Sequence, residues 1–305
     1  MPKISVVIAT YNRHEFLRPA IASVLDQTFQ DFEVIIVDDA SKDETPAVVS
    51  SLSDKRVKYV RHAANRGGSA ARNTGILRAD AKYVALLDDD DEWLPDKLKM
   101  QVDLLDNADL KVGIVYTGYD TIDRTTGIVL ARRVPTRRGD LSKALLSENY
   151  LGGASSVLLR RECFDQVGLF DESLPSFQDY DMWIRISTAF HFEYVKDPLV
   201  RYYIHNNKIW TTPDAINNGI TRFLKKYGTS SQLRKYCSYV YLDTGILYCY
   251  AGQITNGRIA FLRAIRLHPL ETRYYFYLCL SLLGLDLFKK VKESKEKIFK
   301  KLCLN

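Results

Sequence analysis

The stretch Val34-Ile35-Ile36-Val37 is apolar at four consecutive positions, and this restricts the fold more than any other feature of the chain. A strand with one face in water alternates apolar and polar residues, whereas a strand covered on both faces has no polar side to show. Similar runs recur at Ile4 to Ala9, Phe32 to Val37, Val57 to Val60, Tyr83 to Leu87 and Gly113 to Tyr116, with helical stretches between them. This alternation predicts an α/β protein with a mostly parallel sheet flanked by helices. Ligands in open sheets of this kind bind beyond the carboxyl ends of the strands. Three such ends carry polar residues: Thr10-Tyr11-Asn12, Asp38-Asp39 and Asp88 to Asp91.

With 305 residues, 46% of them hydrophobic, the chain can bury a full core in one large or two modest domains. From about residue 213 the pattern turns helical, which predicts an α/β domain over 1–212 and a helical C-terminal module over 213–305. Within the module, Tyr241, Gly245, Tyr248, Gly252, Phe261, Ala264 and Pro269 are spaced as in a tetratricopeptide repeat. One repeat cannot bury its own face, so a single helical hairpin packed on its neighbours is expected.

The five cysteines (Cys163, Cys237, Cys249, Cys279 and Cys303) are odd in number and have no CxxC spacing, which argues against a zinc site and a disulfide framework. No secretory signal pattern precedes Ile4, so a cytoplasmic location is expected. Residues 289–305 hold seven lysines and two glutamates, and so carry five of the six net positive charges. The body is therefore nearly neutral, and nucleic acid is not an expected partner. Tyr274 to Phe288 is apolar except for Ser281 and Asp286, yet falls short of the roughly 20 residues a spanning helix needs. Val291, Ile298, Phe299 and Leu302 follow among the lysines, a basic amphipathic pattern suited to the anionic inner face of a membrane, or alternatively to a solvated terminal helix.

Asp88 to Asp91 gather like charge at a strand end, which is costly unless a cation or hydrogen-bond donors compensate. Mg2+ or Mn2+ takes oxygen ligands of this kind and keeps positions open for substrate phosphates. Carboxylates also suit the first turn of the helix that Leu94-Pro95 introduces, so the bare run is open to both readings.

Read in order, Ser5-Val6-Val7-Ile8-Ala9-Thr10-Tyr11-Asn12-Arg13, Val37-Asp38-Asp39-Ala40-Ser41, Asn65-Arg66-Gly67-Gly68-Ser69-Ala70-Ala71-Arg72-Asn73, Leu87-Asp88-Asp89-Asp90-Asp91 and Gln178-Asp179-Tyr180-Asp181-Met182-Trp183 resemble glycosyltransferase family 2 over about two-thirds of the chain. The resemblance implies the GT-A fold and an inverting transfer from a nucleotide-sugar donor, UDP above all, to a hydroxyl of a glycan or lipid-linked saccharide. It also assigns roles: Thr10, Tyr11, Asp39, Arg72, Asp88 and Asp89 to the nucleotide, Asp90 and His205 to the metal, Asp179 to general base catalysis. Lys208 is a phosphate-side candidate. Within the acidic run the metal ligand is open to a shift of one residue, Asp90 being the choice anchored on Trp93-Leu94-Pro95. The residues agree chemically: the Asp39 carboxylate can accept the imide N–H of uracil, and Arg72 offers a rigid fork of donors. Gln178 departs from the family's usual glutamate. Two other functions compete. A sugar nucleotidyltransferase would need a glycine-rich loop where Ala9 to His14 stands, and an inactive interaction scaffold would have no use for the acidic constellation.

Overall fold

The structure is a computed structural model that describes residues 1–204, 212–228, 230–285 and 288. The described residues fall into two compact units. One comprises Met1–Leu145, Asn149–Leu174 and residues 178–204; the other takes the short pieces Leu146–Glu148 and Pro175–Phe177 with the residues from 212 onward.

The first unit runs β1 (Ile4–Thr10), α1 (His14–Leu25), β2 (Phe32–Asp38), α2 (Thr45–Ser50), β3 (Val57–Arg61), α3 (Gly68–Leu77), β4 (Tyr83–Asp88), β5 (Glu92–Trp93), α4 (Lys97–Asn107), β6 (Val112–Asp123), β7 (Val129–Arg133), β8 (Val157–Arg160), α5 (Glu162–Val167), α6 (Gln178–Ser187) and β9 (His191–Ile204). Among the described residues these strands form one nine-stranded sheet in the order β3-β2-β1-β4-β8-β6-β9-β5, with β7 paired to β6 outside that path. Every residue of β2 is buried, as is all of β1 but Ala9, and the core is built on their side chains with those of α1, β4 and α4. The runs of β1, β2 and β4 thus became central strands covered on both faces, whereas Val57 to Val60 became β3, an edge strand with every residue partly or fully exposed.

The sheet is parallel from β3 through β4, then mixed, because β8 runs antiparallel to both β4 and β6 while β9 lies parallel to β6. This register positions the site. Thr10 pairs with Asp38 and Ala9 with Asp88, so the carboxyl ends of β1, β2 and β4 lie level. The turn Ala154–Ser156 leads into β8 beside β4, and β5 pairs Glu92 with Arg201 at the end of β9. Strand β9 runs 14 residues through Pro198, with register shifts near that proline in its pairing to β6.

The second unit contains α7 (Pro213–Tyr227), α8 (Ser231–Tyr250), α9 (Ile254–Leu267) and α10 (Thr272–Leu282). Helices α8 and α9 cross where neither carries a side chain. A Cβ on Gly245 would stand 2.4 Å from Phe261, and one on Gly257 would stand 2.5 Å from the Cys249 sulfur. Helix α10 returns against α9, with Arg258 donating to the Ser281 carbonyl at 2.7 Å and the Phe261 and Tyr277 rings stacked. Among the described residues no helix is long and apolar enough to cross a membrane.

The seating of α3 on the sheet gives a test. Helix propensity alone would make Gly75→Ala stabilising by about 1 kcal/mol. A Cβ there would lie 2.3 Å from one Val7 methyl and 3.2 Å from the other, and a β-branched side chain has little freedom to move aside. Overpacking should win, and Gly75→Ala is expected to lose about 1–3 kcal/mol in chemical denaturation, with part of the loss recovered on adding Val7→Ala.

Candidate active site

The end of β4 gathers three carboxylates. One oxygen from each of Asp88, Asp90 and Asp91 lies within 4.8 Å of the others. All are hard oxygen donors, the type that Mg2+ and Mn2+ take, so the residues fit a divalent cation. Their backbone is braced from the turn before β8. The Ser155 hydroxyl donates to Asp91 at 2.7 Å and accepts the Asp88 N–H at 3.1 Å, while the Trp93 indole N–H donates to the Ser155 carbonyl at 2.8 Å. The glycines before this turn support it too: Gly152 has φ 80°, and its N–H and C=O are both bonded to the Asn149 side chain.

Asp89 turns away from that trio. Its carboxylate meets Arg13 at 3.0 Å, and the same guanidinium nitrogen reaches Asp90 at 3.2 Å. Burial pushes Asp89 up to about 6, while Arg13 pulls it down and Asp90 pushes it further up. Arg13 itself is raised: its burial favours the neutral form, but the attraction of Asp89 and Asp90 prevails. The buried Thr10 hydroxyl lies beside Asp89 without a well-formed hydrogen bond.

Arg72 stands between the acidic cluster and Asp179. It donates to Asp88 at 2.6 Å, and despite the cost of burial its pKa is raised, with Asp88 and Asp179 the leading attractions. The Phe170 ring lies under its guanidinium at 5.8 Å, and Asn73 fixes that segment through two bonds with the Phe170 backbone.

Asp179 occupies the first turn of α6. The Ala154 N–H lies beside it and favours its ionised form, and its Oδ1 is buried with no hydrogen-bond partner. Burial pushes its pKa up to about 6 against the pull of Arg72, with Asp88 adding to the rise. An unpartnered carboxylate oxygen is an acceptor held ready for a proton or a hydroxyl.

Asp39 lies at the end of β2, buried and heavily bonded. It accepts the Arg66 N–H at 2.9 Å, the Gly67 N–H at 2.7 Å and a contact from His62 Nδ1 at 2.7 Å. It therefore fixes the start of α3, the helix that carries Arg72. Tyr11 is 40% exposed beside it in the loop after β1. That loop is joined to the one after β2: Asn12 N–H donates to the Ser41 hydroxyl at 2.9 Å, and Lys42 N–H to the Asn12 side chain at 2.7 Å. The structure thus brings Thr10, Tyr11, Asp39, Arg72, Asp88, Asp89, Asp90 and Asp179 to one end of the sheet. His205 and Lys208 lie outside the described residues.

Four residues gained their place only from the structure. Arg13 becomes a counterion because β1 neighbours β4, Asp91 joins Asp88 and Asp90, and Ser155 braces them both. Tyr202, at the end of β9, has its phenol pKa raised by burial and by the surrounding Asp91, Asp88, Asp90 and Asp179. Two of them stood inside motifs legible in the sequence, Asp91 in the acidic run and Arg13 at the end of the run from Ser5, but the motifs alone gave neither a task.

Comparisons with known proteins place this geometry. The profile of Glycosyl transferase family 2 matches residues 5–168. An uncharacterized glycosyltransferase of Rickettsia prowazekii is 34% identical over 220 residues, which is 71% of this chain and 68% of that protein. The chain spans only about a third of the length of the relatives from Rickettsia bellii, Rickettsia felis and Rickettsia conorii, at 30%, 35% and 34%. WfgD of Escherichia coli, a UDP-Glc:alpha-D-GlcNAc-diphosphoundecaprenol beta-1,3-glucosyltransferase, is 28% identical over 60% of this chain and 69% of its own length. Two solved structures share the fold. Staphylococcus aureus TarS in complex with UDP superposes with TM-score 0.63 and 17% identity, covering 97% of this chain and 91% of that one. The mannosyltransferase PcManGT of Pyrobaculum calidifontis, in complex with GDP-Man and Mn2+, gives 0.60 and 18%, covering 94% and 86%. With the matched profile spanning β1 to α5 and the GT-A fold around it, the chain belongs to glycosyltransferase family 2.

Proposed function

We propose that the chain is an inverting, metal-dependent glycosyltransferase that moves a sugar from a UDP donor, with dTDP and GDP as alternatives, to a hydroxyl of a glycan or lipid-linked saccharide. The observation that carries this reading is the unpartnered Asp179 oxygen, separated from the acidic cluster by Arg72. Transfer with inversion needs a base on one side of the anomeric carbon and charge stabilisation for a diphosphate on the other. UDP in the TarS complex and the UDP-Glc donor of WfgD support the choice of nucleotide; GDP-Man and Mn2+ in the PcManGT complex support the metal.

Each residue then has a task. Asp179 accepts the acceptor's hydroxyl proton as its oxygen bonds to the anomeric carbon and the bond to the diphosphate breaks. The hydroxyl turns acidic only as that bond forms, so a carboxylate serves. A divalent cation held by Asp88, Asp90 and Asp91 would supply positive charge to the leaving diphosphate. Arg72 adds a fixed positive charge on the same side, while Arg13 offsets the repulsion that Asp89 and Asp90 exert on each other. Thr10, Tyr11 and Asp39 line the place of the base, and an incoming imide N–H would share Asp39 with the Arg66 and Gly67 amides. A lipid-linked acceptor accords with the lysine-rich residues 289–305, which lie outside the described residues apart from their sequence.

Calorimetric titration with UDP, GDP and dTDP, with and without Mn2+, tests the donor site. UDP binding that needs Mn2+ is expected, weakened in Asp90→Asn by at least the 10–100-fold that partners outside the first coordination sphere are worth. No binding of any nucleotide in either condition would discard the donor site. Asp179→Asn should leave UDP binding intact and lower kcat by about 10²–10⁴-fold, the usual contribution of a positioned base; undiminished transfer would remove Asp179 from this role.

The pH profile carries a sign. Asp179 must be ionised to accept a proton, and its pKa stands at about 6, so kcat/KM should fall as pH drops through that value. A bound cation favours the carboxylate and moves the limb lower. An acid limb above pH 7 would contradict the assignment.

A further inference from the structure

Helix α10 is mostly apolar, Thr272, Arg273 and Ser281 apart, and only one side of it is covered. Tyr274, Tyr277, Leu280 and Ser281 face inward. Along the other side, at spacings of three and four residues, stand Tyr275, Phe276, Cys279, Leu282 and Leu283. Their exposure rises along the helix, from 43% at Tyr275 and 48% at Phe276 to 62% at Leu282 and 68% at Leu283. Ile259 and Leu262 on α9 are exposed as well, at 44% and 53%. Water is a poor partner for such a stripe, and apolar patches of this kind mark interaction surfaces.

Charge identifies the partner. Helices α9 and α10 together contain Arg258, Arg263, Arg266 and Arg273, the last paired with Glu271 at the start of α10 at 2.8 Å. The sequence beyond the stripe adds seven lysines against two glutamates over residues 289–305. A second copy seated on the same face would bring these cations against their own kind. An anionic bilayer offers the opposite charge together with an apolar phase.

We propose that the exposed stripe of α10 is a docking surface for an anionic lipid bilayer. The helix lies in the plane of the interface, with Tyr275, Phe276, Leu282 and Leu283 in the acyl boundary and the basic residues at the headgroups. Its 11 residues are too few to span the hydrocarbon core. This deepens the lipid-linked acceptor reading, since the acceptor would be met at the surface that holds it, but vesicle binding and nucleotide binding are measured separately and can fail separately.

The test is co-sedimentation of the full chain with vesicles of phosphatidylcholine alone or with about 30% phosphatidylglycerol. Pelleting should be at least about tenfold stronger with the anionic vesicles, weaken at high salt, and drop about tenfold or more in Phe276→Glu/Leu282→Glu/Leu283→Glu. Thermal unfolding and UDP titration report whether that variant is folded. A second measurement needs no disruptive change: a polarity-sensitive fluorophore on Cys279, in a Cys303→Ser background, should shift to the blue with anionic vesicles only. Two results would overturn the proposal: undiminished pelleting of the folded triple variant, or no shift at Cys279. A lipid-free dimer abolished by the triple substitution would assign the face to a second copy instead.

Discussion

Carboxylates gathered at the end of one buried strand repel one another, and much of the first unit is organised around that repulsion. Asp88 to Asp91 sit where β4 leaves the sheet, at a depth where water screens poorly. Arg13 comes from the loop between β1 and α1 on one side and Arg72 from α3 on the other, and Ser155 contributes a hydroxyl from the turn before β8. The converging oxygens of Asp88, Asp90 and Asp91 are of the kind a divalent cation takes, so their mutual repulsion and their fitness to hold a metal are the same property.

The sheet makes this possible by aligning strand ends. Parallel neighbours finish at the same edge, so Thr10, Asp38 and Asp88 come level although they are far apart in sequence. The antiparallel arrival of β8 then delivers the Ala154–Ser156 turn to that edge, where the Ala154 amide also serves Asp179. Backbone from one turn supports both the acidic cluster and the proposed base. A substitution there that moved the turn would disturb both.

How much of this was legible in the sequence follows burial. β1, β2 and β4 were readable because both of their faces are covered, which leaves an unbroken apolar signature. β3 was readable from its β-branched residues. β9 was not: Asp197-Pro198 reads as a strand breaker, and its partly exposed faces supply no continuous run. β6 was seen only through Tyr116, its further half being the polar Thr117 to Asp123. β5, with two residues, has no periodicity to detect. At the site, Asp39, Arg72, the acidic run and Asp179 could be picked out because their neighbours form recognisable motifs. Arg13 and Tyr202 acquire their surroundings from strand order, and Ser155 from a turn that the arrival of β8 brings beside β4. Strand order is a long-range property that no local pattern encodes.

Among the described residues, three other than glycine hold left-handed backbone: Asn12 (φ 51°), Ala40 (φ 68°) and Phe177 (φ 65°). Asparagine tolerates this conformation, but alanine and phenylalanine do not, and each such position costs on the order of 1–3 kcal/mol. Asn12 and Ala40 directly follow Tyr11 and Asp39, and Phe177 stands two residues before Asp179. The chain therefore concedes conformational energy beside its proposed donor and base residues and must recover it in the buried strands. The margin against heat and the readiness for chemistry are set by different parts of the molecule, and a laboratory search for sturdier variants would gain most readily at positions where relaxing the backbone also loosens the pocket.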